Sequence, residues 1–351
     1  MATAKTPNPA PALSFPRPIF AAVSPHPFLQ AHLTSGKKTA AQRANGRTEK
    51  EFRTPAVNTG SLTHCNGSAV VRLGNSSVVC GVRGEILKEE DTQNTAPTAS
   101  ATEEMAAHLD LEREEIETLR LVVPNVELST GSTPQYIPGN APSSFAQTLI
   151  TRLRSLLLST SLLRASDLRI LYTPPWNPDD GDAEPEPQVK AYWVLYIDIF
   201  FICIDGNAFD SAWLSILAAL RTTVLPRAFW DPDLEIILCD DAPENARRLG
   251  LRGLPVAASF AVFEGKREWN ESGEEEEGRN WVLSDPDAFE ESVCRESVGV
   301  VVDCSDGTES AVLRRVEKSG GGVVGREKMR ELVQRAVERW GEVAGVLGES
   351  T

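Results

Sequence analysis

The side chains of this sequence that could act as nucleophiles, bases or metal ligands are few and widely spaced. No two of the six cysteines have CxxC spacing, and the four histidines form no metal-ligand pattern. The residues concerned are Cys65, Cys80, Cys203, Cys239, Cys294 and Cys304, with His26, His32, His64 and His108. His64 precedes Cys65, but adjacent residues on a strand point to opposite faces, so no thiol–imidazole pair is expected. We therefore expect no metal centre, and we interpret the cysteines as small buried apolar residues in a reducing compartment.

One glycine pattern is typical of a nucleotide site. Gly320, Gly322 and Gly325 fit G-x-G-x-x-G between a predicted strand and a predicted helix. A dinucleotide site also needs a second parallel strand that ends in an acidic residue, and here the chain ends with the helix. The pattern is therefore interpreted as a loop that enters the last helix, and no cofactor is expected.

The composition favours a folded chain that does not bind nucleic acid by charge alone. The chain has 351 residues, 41% of them hydrophobic, and its formal net charge is −15. A free-standing nucleic-acid binder is normally basic, so contact with RNA would require neighbouring chains that carry positive charge. The N-terminus has no apolar core of a signal peptide, and the longest apolar run, at 192–204, is too short to span a bilayer. We expect a soluble intracellular protein.

The hydrophobic periodicity predicts an α+β fold of mixed sheets with packed helices. Gly74-Asn75 marks a hairpin inside a β-meander at 57–83, and a nearly continuous apolar run at 192–204 indicates a central strand. Further strands are predicted at 256–263, 281–283, 297–303 and 311–316, and helices at 143–159, 210–223 and 326–347.

Runs of acidic residues divide this pattern. Three acidic segments, at about 88–118, 174–190 and 264–280, are interpreted as solvated insertions. Residues 1–18, rich in Pro and Ala, are predicted to be a disordered tail. The folded domain is placed at 19–347, and residues 348–351 form a second short tail.

The segment from 43 to 86 resembles the start of the ribonuclease PH family. That family opens with an Arg-x-Asp-Gly-Arg turn, and this sequence has the same turn at 43–47 with Asn45 in place of the aspartate. Gly67-Ser68-Ala69 and Gly74 then match the family's strand pattern. Together with segments at 122–128, 193–220 and 255–263, the resemblance covers 19–347 and extends to the family's exosome ring subunits. It implies a ribonuclease PH-like fold, which is the ribosomal protein S5 domain 2-like fold.

The resemblance also implies where a phosphorolytic site would lie and which of its groups are missing. The family's phosphate loop, Asp-Gly-Gly-Thr-Arg-Thr, corresponds to 205–210, where Ala208 lacks the hydroxyl, Phe209 replaces the arginine and Asp210 adds a negative charge. Of the paired carboxylates, Glu291 stands for one, whereas Ser297 replaces the other. Loss of one preorganised donor typically costs about 10²–10³ in rate, so these positions are interpreted as degenerate.

Two further features of the sequence concern a second carboxylate at the site and the contact with RNA. Glu296 is adjacent to Ser297, so a one-residue register slip could supply the second carboxylate. The stretch between Arg120 and Arg152 has no Lys or Arg, although active relatives place RNA-binding arginines there, and we find no interleaving of basic and aromatic residues. The candidates for RNA contact are Arg43, Arg47, Arg53, Arg72 and Arg83, each of which is more often a salt-bridge partner.

The function that the resemblance implies is that of a non-catalytic, structural subunit of the RNA exosome ring. Its expected partners are the other ribonuclease PH-like ring subunits, S1/KH cap subunits, RNA in the central channel and an associated exoribonuclease. The expected roles are rRNA maturation and RNA turnover in the nucleus, nucleolus and cytoplasm. Two alternatives are an active phosphorolytic 3′-to-5′ exoribonuclease and a free-standing RNA-binding protein.

Overall fold

The structure is a computed structural model that describes most of the chain. The described residues are 16–35, 42–92, 105–137, 141–176, 185–266, 268–269, 275–276 and 280–349. The predicted N-terminal tail lies largely outside them, and the first helix begins at Arg17, slightly before the predicted start of the domain.

The first half of the molecule is a six-stranded sheet covered by helices. The strand order is β1-β2-β3-β6-β4, and β5 also pairs with β6. Strand β4 is parallel to β6, and the other pairs are antiparallel. The elements are α1 (Arg17–Val23), α2 (Pro25–Ser35), β1 (Pro55–Thr59), β2 (Gly67–Leu73), β3 (Ser76–Lys88), α3 (Met105–Thr118), β4 (Val122–Leu128), α4 (Ser144–Ser159), α5 (Ala165–Leu168), β5 (Arg169–Tyr172), β6 (Gln188–Cys203) and α6 (Ala208–Arg221).

The second half is a four-stranded antiparallel sheet of order β14-β11-β15-β16, on which the last helix packs. Two short ribbons, β7–β10 and β8–β9, connect the halves, and β12 pairs with β13. The elements are β7 (Val224–Leu225), β8 (Ala228–Asp231), β9 (Ile236–Cys239), β10 (Arg247–Arg248), β11 (Val256–Glu264), β12 (Glu268–Trp269), β13 (Glu275–Glu276), β14 (Asn280–Ser284), α7 (Ala288–Val293), β15 (Glu296–Asp303), β16 (Val312–Ser319) and α8 (Arg326–Glu349).

Two local signals in the sequence set the first sheet. The predicted hairpin at Gly74-Asn75 joins β2 to β3, and Gly74 has a φ of 60°, which a glycine adopts without strain. The apolar run predicted as a central strand is β6, which pairs with β3, β4 and β5. Its inward residues are fully buried because both neighbouring strands and the covering helices shield them. The predicted α+β fold of mixed sheets and packed helices is confirmed.

Helix α6 joins the two halves. It contacts β2 and β3 of the first sheet and β11 of the second, and nearly all of its residues are buried. Trp213 is predicted from the sequence to be a packing residue; it is 1% exposed, and its indole N–H donates to the Pro255 carbonyl at 2.7 Å. Ser211 and Ser215, which are buried, donate to carbonyls of the preceding turn, so the helix carries polar side chains without unpaired groups there. The helix therefore provides a common core for both sheets.

The acidic segment at 88–118 is not a solvated insertion throughout. From residue 105 it is helix α3, which packs on α4 and α5. Its Glu112 and Glu115 are buried and form ion pairs with Arg252 and Arg169. The interpretation was wrong here because the acids on one face of α3 meet arginines from distant parts of the chain.

The other predicted boundaries need smaller corrections. Strand β6 begins at Gln188, inside the predicted second insertion, and Glu268–Trp269 pairs with Glu275–Glu276 inside the third. Helix α8 continues to Glu349. Residues 93–104, 177–184, 270–274 and 277–279 lie outside the described residues, as do 350–351. The cysteines are unpaired, but only Cys80 and Cys304 are buried and Cys239 is exposed, so their interpretation as buried apolar residues was partly wrong.

A substitution in α3 tests whether this helix belongs to the folded core. Ile116→Ala should lower the free energy of unfolding by about 2–4 kcal/mol, because Ile116 is 6% exposed and packs in the main core. The matched control is Leu111→Ala in the same helix, which should cost less than about 1 kcal/mol because Leu111 is 38% exposed. Urea denaturation measures both, and equal small losses would contradict the assignment.

Candidate functional site

A cleft of about 290 Å³ lies where α4 and the start of α6 face the second sheet and α7. It brings together four of the five positions expected at the degenerate site, namely Ala208, Phe209, Glu291 and Ser297. Its other lining residues include Phe145, Leu149, Arg152, Asn207, Ser259, Arg295 and Glu296. The residues that the resemblance grouped are far apart in the sequence, and the fold brings these four into one cleft.

Phe209 fills the position that the family gives to a phosphate-binding arginine. The ring is 7% exposed, and the Arg152 guanidinium lies over it at 4.3 Å from the ring centroid. Arg152 is also paired with Glu317 at 3.1 Å. The cation nearest to Phe209 is therefore held between an aromatic face and a carboxylate, which leaves little of its charge for an anion in the cleft.

Asp210 does not present its charge to the cleft as the sequence suggested. Its carboxylate accepts hydrogen bonds from the Ser259 N–H at 2.8 Å, the Ser259 hydroxyl at 2.7 Å and the Asn207 side-chain amide at 2.8 Å. Desolvation raises the pKa of Asp210, and the bonds from Ser259 and Asn207 oppose this shift. The residue ties the start of α6 to β11, so its role is to join elements and not to repel an anion.

Glu291 closes the N-terminus of α6. One of its carboxylate oxygens accepts the Asn207 N–H at 2.8 Å. Asn207, the N-cap of α6, has a φ of 49° and accepts the Asp210 N–H through its own side chain at 3.4 Å. Desolvation raises the pKa of Glu291, and the bond from Asn207 opposes this shift. Because helix N-termini attract anions, the Glu291 carboxylate lies at a position that favours negative charge.

The alternative with a register slip at Ser297 stays a prediction, because Glu296 also lines the cleft. Glu296 turns its carboxylate to the Gly322 N–H and lies 3.8 Å from the Lys318 ammonium, while Ser297 pairs with Ala261 on β11. A side chain on Gly322 would collide with this carboxylate. The glycine pattern is therefore a loop before α8, as predicted, and its second glycine allows a close approach to Glu296.

Three of the five arginines predicted to contact RNA are engaged inside the protein. Arg43 is 1% exposed; its Nε donates to Glu290 at 2.6 Å and its Nη1 to the Ser284 carbonyl at 2.6 Å. Arg53 is 9% exposed and forms a forked pair with Asp285. Arg47 lies 3.4 Å from Asp285. The predicted contact of Arg43 and Arg53 with RNA was wrong, because buried carboxylates take up their donors.

The remaining two arginine candidates lie on the surface. Arg72 donates to the Gly74 carbonyl at 3.1 Å, and Arg83 pairs with Glu85 at 2.9 Å above the Tyr196 ring. Both side chains are exposed. Their contact with RNA stays a prediction.

Sequence reasoning missed Asp285, which organises the site. Its carboxylate accepts the Arg53 backbone N–H at 2.9 Å, the Arg53 guanidinium at 2.7 and 2.8 Å and the Asn207 amide at 2.7 Å. Burial alone would raise the pKa of Asp285. The hydrogen bonds from Arg53 and Asn207 and the charge of Arg53 outweigh burial and lower this pKa to about 2. Its φ is 50°, and Pro286 follows it. An Asp-Pro step between a strand and a helix was the available signal.

The contacts of Asn45 explain why the turn at 43–47 has an asparagine where the family has an aspartate. Asn45 donates its side-chain amide to Asp287 at 2.7 Å and accepts the Arg47 N–H at 3.0 Å. An aspartate at position 45 would face the Asp287 carboxylate without a proton to share. The amide therefore keeps the turn and adds a bond to the N-cap of α7.

Within the described residues, no group of three or more His, Cys, Asp or Glu side chains is placed to hold a metal ion. None of the described helices has both the length and the apolar character that a bilayer crossing requires.

Two sheets that pack on the shared helix α6, with this cleft between them, are the arrangement of the ribonuclease PH fold. The family model "3' exoribonuclease family, domain 1" matches residues 51–226, half of the chain, so the chain belongs to the RNase PH family. Solved structures agree: a chain of an Archaeoglobus fulgidus exosome with RNA bound to the active site superposes with a TM-score of 0.60 at 20% identity, covering 93% of this chain and 98% of that one. An archaeal exosome core gives a TM-score of 0.57 at 19% identity, with the same coverage.

Two relatives that are named as exosome complex components are similar to most of the chain. The exosome complex component rrp43 of Schizosaccharomyces pombe is 32% identical over 266 residues, which are 76% of this chain and 81% of that protein. The exosome complex component Rrp42 of Methanothermobacter thermautotrophicus is 24% identical over 311 residues, covering 88% and 90%. The segments at 122–128, 193–220 and 255–263 indicate a resemblance to ribosomal-RNA-processing protein 43, and the first of these relatives confirms it.

Removing the Arg53 guanidinium tests its structural role. Arg53→Ala should lower the free energy of unfolding by about 3–5 kcal/mol, because Asp285 would be left buried without its cation. Arg72→Ala is the matched control and should change it by less than about 0.5 kcal/mol, since Arg72 is exposed. Urea titrations give both values, and a loss below about 1 kcal/mol for Arg53→Ala would refute this role.

The lowered pKa of Asp285 predicts a specific acid sensitivity. In the unfolded chain the pKa of this carboxyl is near the ordinary aspartate value of 3.8, and in the folded chain it is about 2. Because the unfolded state binds the proton more readily, the stabilisation is complete above pH ~4 and is lost as the pH falls through 2, an effect of about 2 kcal/mol. Asp285→Asn should be less stable at neutral pH and should lose about 2 kcal/mol less than the wild type on acidification. Parallel pH-dependent denaturation curves would disprove the assignment.

Proposed function

We propose that this chain is a non-catalytic structural subunit of an RNA exosome ring. In this role it supports 3′-to-5′ processing and degradation of RNA, including rRNA maturation, by completing the ring and lining the RNA channel. Membership in the RNase PH family and the similarity to relatives named exosome complex components support the assembly. The proposal of no catalysis has separate support in the cleft.

The observation that carries the absence of catalysis is the internal engagement of the groups at the phosphate position. Phosphorolysis needs N–H groups and cations that are free to hold inorganic phosphate. Here the Asn207 N–H is bound to Glu291, and Arg152 is held by Phe209 and Glu317. Phosphate would have to displace two negatively charged side chains from bonds that the fold already satisfies.

Exposed apolar residues support a place among neighbouring subunits. Strand β16 is an edge of the second sheet, and its Val312, Leu313 and Val316 are between 42% and 48% exposed. On β6, Phe200 and Ile202 are 40% and 46% exposed. An edge strand and an open sheet face with such residues are surfaces that obligate partners cover. We propose other ribonuclease PH-like subunits as these partners, with S1/KH cap subunits, channel RNA and an associated exoribonuclease completing the assembly.

The proposed location of this assembly is the nucleus, nucleolus and cytoplasm, where rRNA maturation and RNA turnover take place. Localisation rests on the proposed function alone, because the cell compartment follows from the complex that the chain joins.

The experiment that tests the assembly is a gentle affinity purification of the full-length chain from its own cells, followed by mass spectrometry and size-exclusion chromatography. We expect co-elution with several different ribonuclease PH-like chains far above the mass of 38.2 kDa. Elution as a monomer without such chains would favour the free-standing RNA-binding protein instead.

A second measurement addresses catalysis directly. Purified chain mixed with single-stranded RNA and inorganic phosphate should release no nucleoside diphosphate above background, and Glu291→Ala should leave this result unchanged. Release of diphosphates by the wild type that is lost in Glu291→Ala would establish a phosphorolytic enzyme. An unrelated contaminating nuclease is recognised because the substitution would not change its product.

A further inference from the structure

A second cleft, of about 350 Å³, lies between β5, the β7–β10 ribbon and the start of β8. It shares no lining residue with the family's cleft. Four of its lining residues are arginines, namely Arg169, Arg227, Arg247 and Arg248, and we call it the arginine cleft. Asp167 is the acid among its described lining residues. In a chain with a net charge of −15, this concentration of positive charge needs a cause.

Two of the four arginines are held by acids of the protein. Arg169 is paired with the buried Glu115 of α3, and Arg247 lies 2.7 Å from Asp167, whose side chain is 7% exposed. These pairs fix the two guanidinium groups on the wall of the cleft. Ion pairs within the protein therefore account for two of the four arginines in the cleft.

The other two arginines have no such partner. Arg227 and Arg248 are exposed, and no carboxylate of the described residues lies within 4.0 Å of either guanidinium. The Arg248 Nε donates to the Arg221 carbonyl at 2.7 Å, which orients the group and leaves its outer donors to the cleft. Arg227 also attracts Asp240, but that carboxylate already accepts two hydrogen bonds from its own loop. Arg248 is therefore an oriented cation, and Arg227 is a second exposed cation that lines the same cavity.

Aromatic and apolar groups accompany these cations. Trp193, Leu225 and Leu249 form a buried floor. Along β8, Trp230 lies two residues after the lining residue Ala228 and so shares its face of the strand. The Lys190 ammonium lies 5.8 Å from the Trp230 ring centroid and adds a fifth positive charge.

The combination of cations with an aromatic ring favours single-stranded nucleic acid over an acidic peptide as the ligand of the cleft. A groove that binds single-stranded nucleic acid joins cations along the backbone to aromatic rings on which bases stack. An acidic peptide needs the cations but has no use for an aromatic ring beside them. The sequence contains basic and aromatic residues together at Arg227-Ala228-Phe229-Trp230, contrary to the expectation above. The fold is needed to bring Arg247 and Arg248, twenty residues later, to the same cleft.

We propose that the arginine cleft binds the phosphodiester backbone of single-stranded RNA. Arg227 and Arg248 contact successive phosphates, and Trp230 stacks on a base. The proposal rests on the proposed function only for the choice of RNA as the polyanion, since the cleft lies apart from the degenerate site and needs no catalysis.

Fluorescence anisotropy with a labelled single-stranded oligouridylate of about ten nucleotides tests the proposal on the full-length chain. The cleft variant is Arg227→Glu with Arg248→Glu, and the matched control is Arg326→Glu with Arg330→Glu on the exposed side of α8, which changes the net charge equally. The cleft variant should bind at least about tenfold more weakly than the control, and its slope of log K against log salt should fall by about 1.4, for two lost phosphate contacts. Trp230→Ala should weaken binding by about fivefold or more.

Further variants and competitors decide the remaining outcomes. If thermal melting shows that the charge reversal unfolds the chain, Arg227→Gln with Arg248→Gln removes both charges without adding negative ones and should still lower the salt slope. Equal losses in cleft variant and control, or no RNA binding by the wild type, would overturn the proposal. So would displacement of RNA by inorganic phosphate at equal ionic strength, or capture of a poly-glutamate peptide in place of RNA. Because the cleft variant should still co-purify with ring subunits, failure of the cleft and failure of the ring assignment give different results.

Discussion

The forked pair between Arg53 and Asp285 is the interaction on which the rest of the structure depends. Arg53 lies just before the first sheet, and Asp285 lies in the turn that leaves the second sheet. Asp285 also accepts the Asn207 amide at the start of α6, and its backbone N–H donates to Ser259 on β11 at 2.9 Å. A single buried carboxylate thus fixes both sheets and the helix between them. Such a charge is stable only because every oxygen has donors, so the residues around it are constrained together.

That constraint explains how the family's architecture persists with an altered cleft. An anion site at a helix N-terminus needs unpaired N–H groups, and here the Glu291 carboxylate accepts the Asn207 N–H and the Asn207 side-chain amide accepts the Asp210 N–H. Glu291 binds the Asn207 N–H and Asp210 binds the Ser259 N–H, so side chains of the protein itself order the start of α6. Phe209 is buried and lines the cleft beside these contacts. These contacts join α6 to α7 and β11, and they are the structural basis of the proposal that the chain contributes shape to an assembly.

The sequence predicted the elements well and the polar network poorly, for physical reasons. Strand β6 and helices α4, α6 and α8 carry strong apolar periodicity, so local pattern was sufficient to find them. Helix α3 was taken for solvated acid because Glu112 and Glu115 meet their arginines only in the folded chain. The resemblance located Phe209 and Glu291 in one cleft, but it could not say that Asp210 turns to Ser259 or that Arg43 and Arg53 are buried. Those outcomes depend on contacts between residues more than forty positions apart, and local pattern carries no information about them.

The buried pair between Arg43 and Glu290 has a consequence for biosynthesis. Glu290 also accepts the Asp287 N–H in the capping box of α7, so both ends of this contact belong to segments separated by 247 residues. A ribosome adds about 5–20 residues per second, so the N-terminal arm leaves the tunnel roughly ten to fifty seconds before its partner exists. Over that interval the arginines at 43, 47 and 53 are cationic and unsatisfied. The segment at 43–53 is thus made early and is among the last parts of the domain to gain its ion-pair partners.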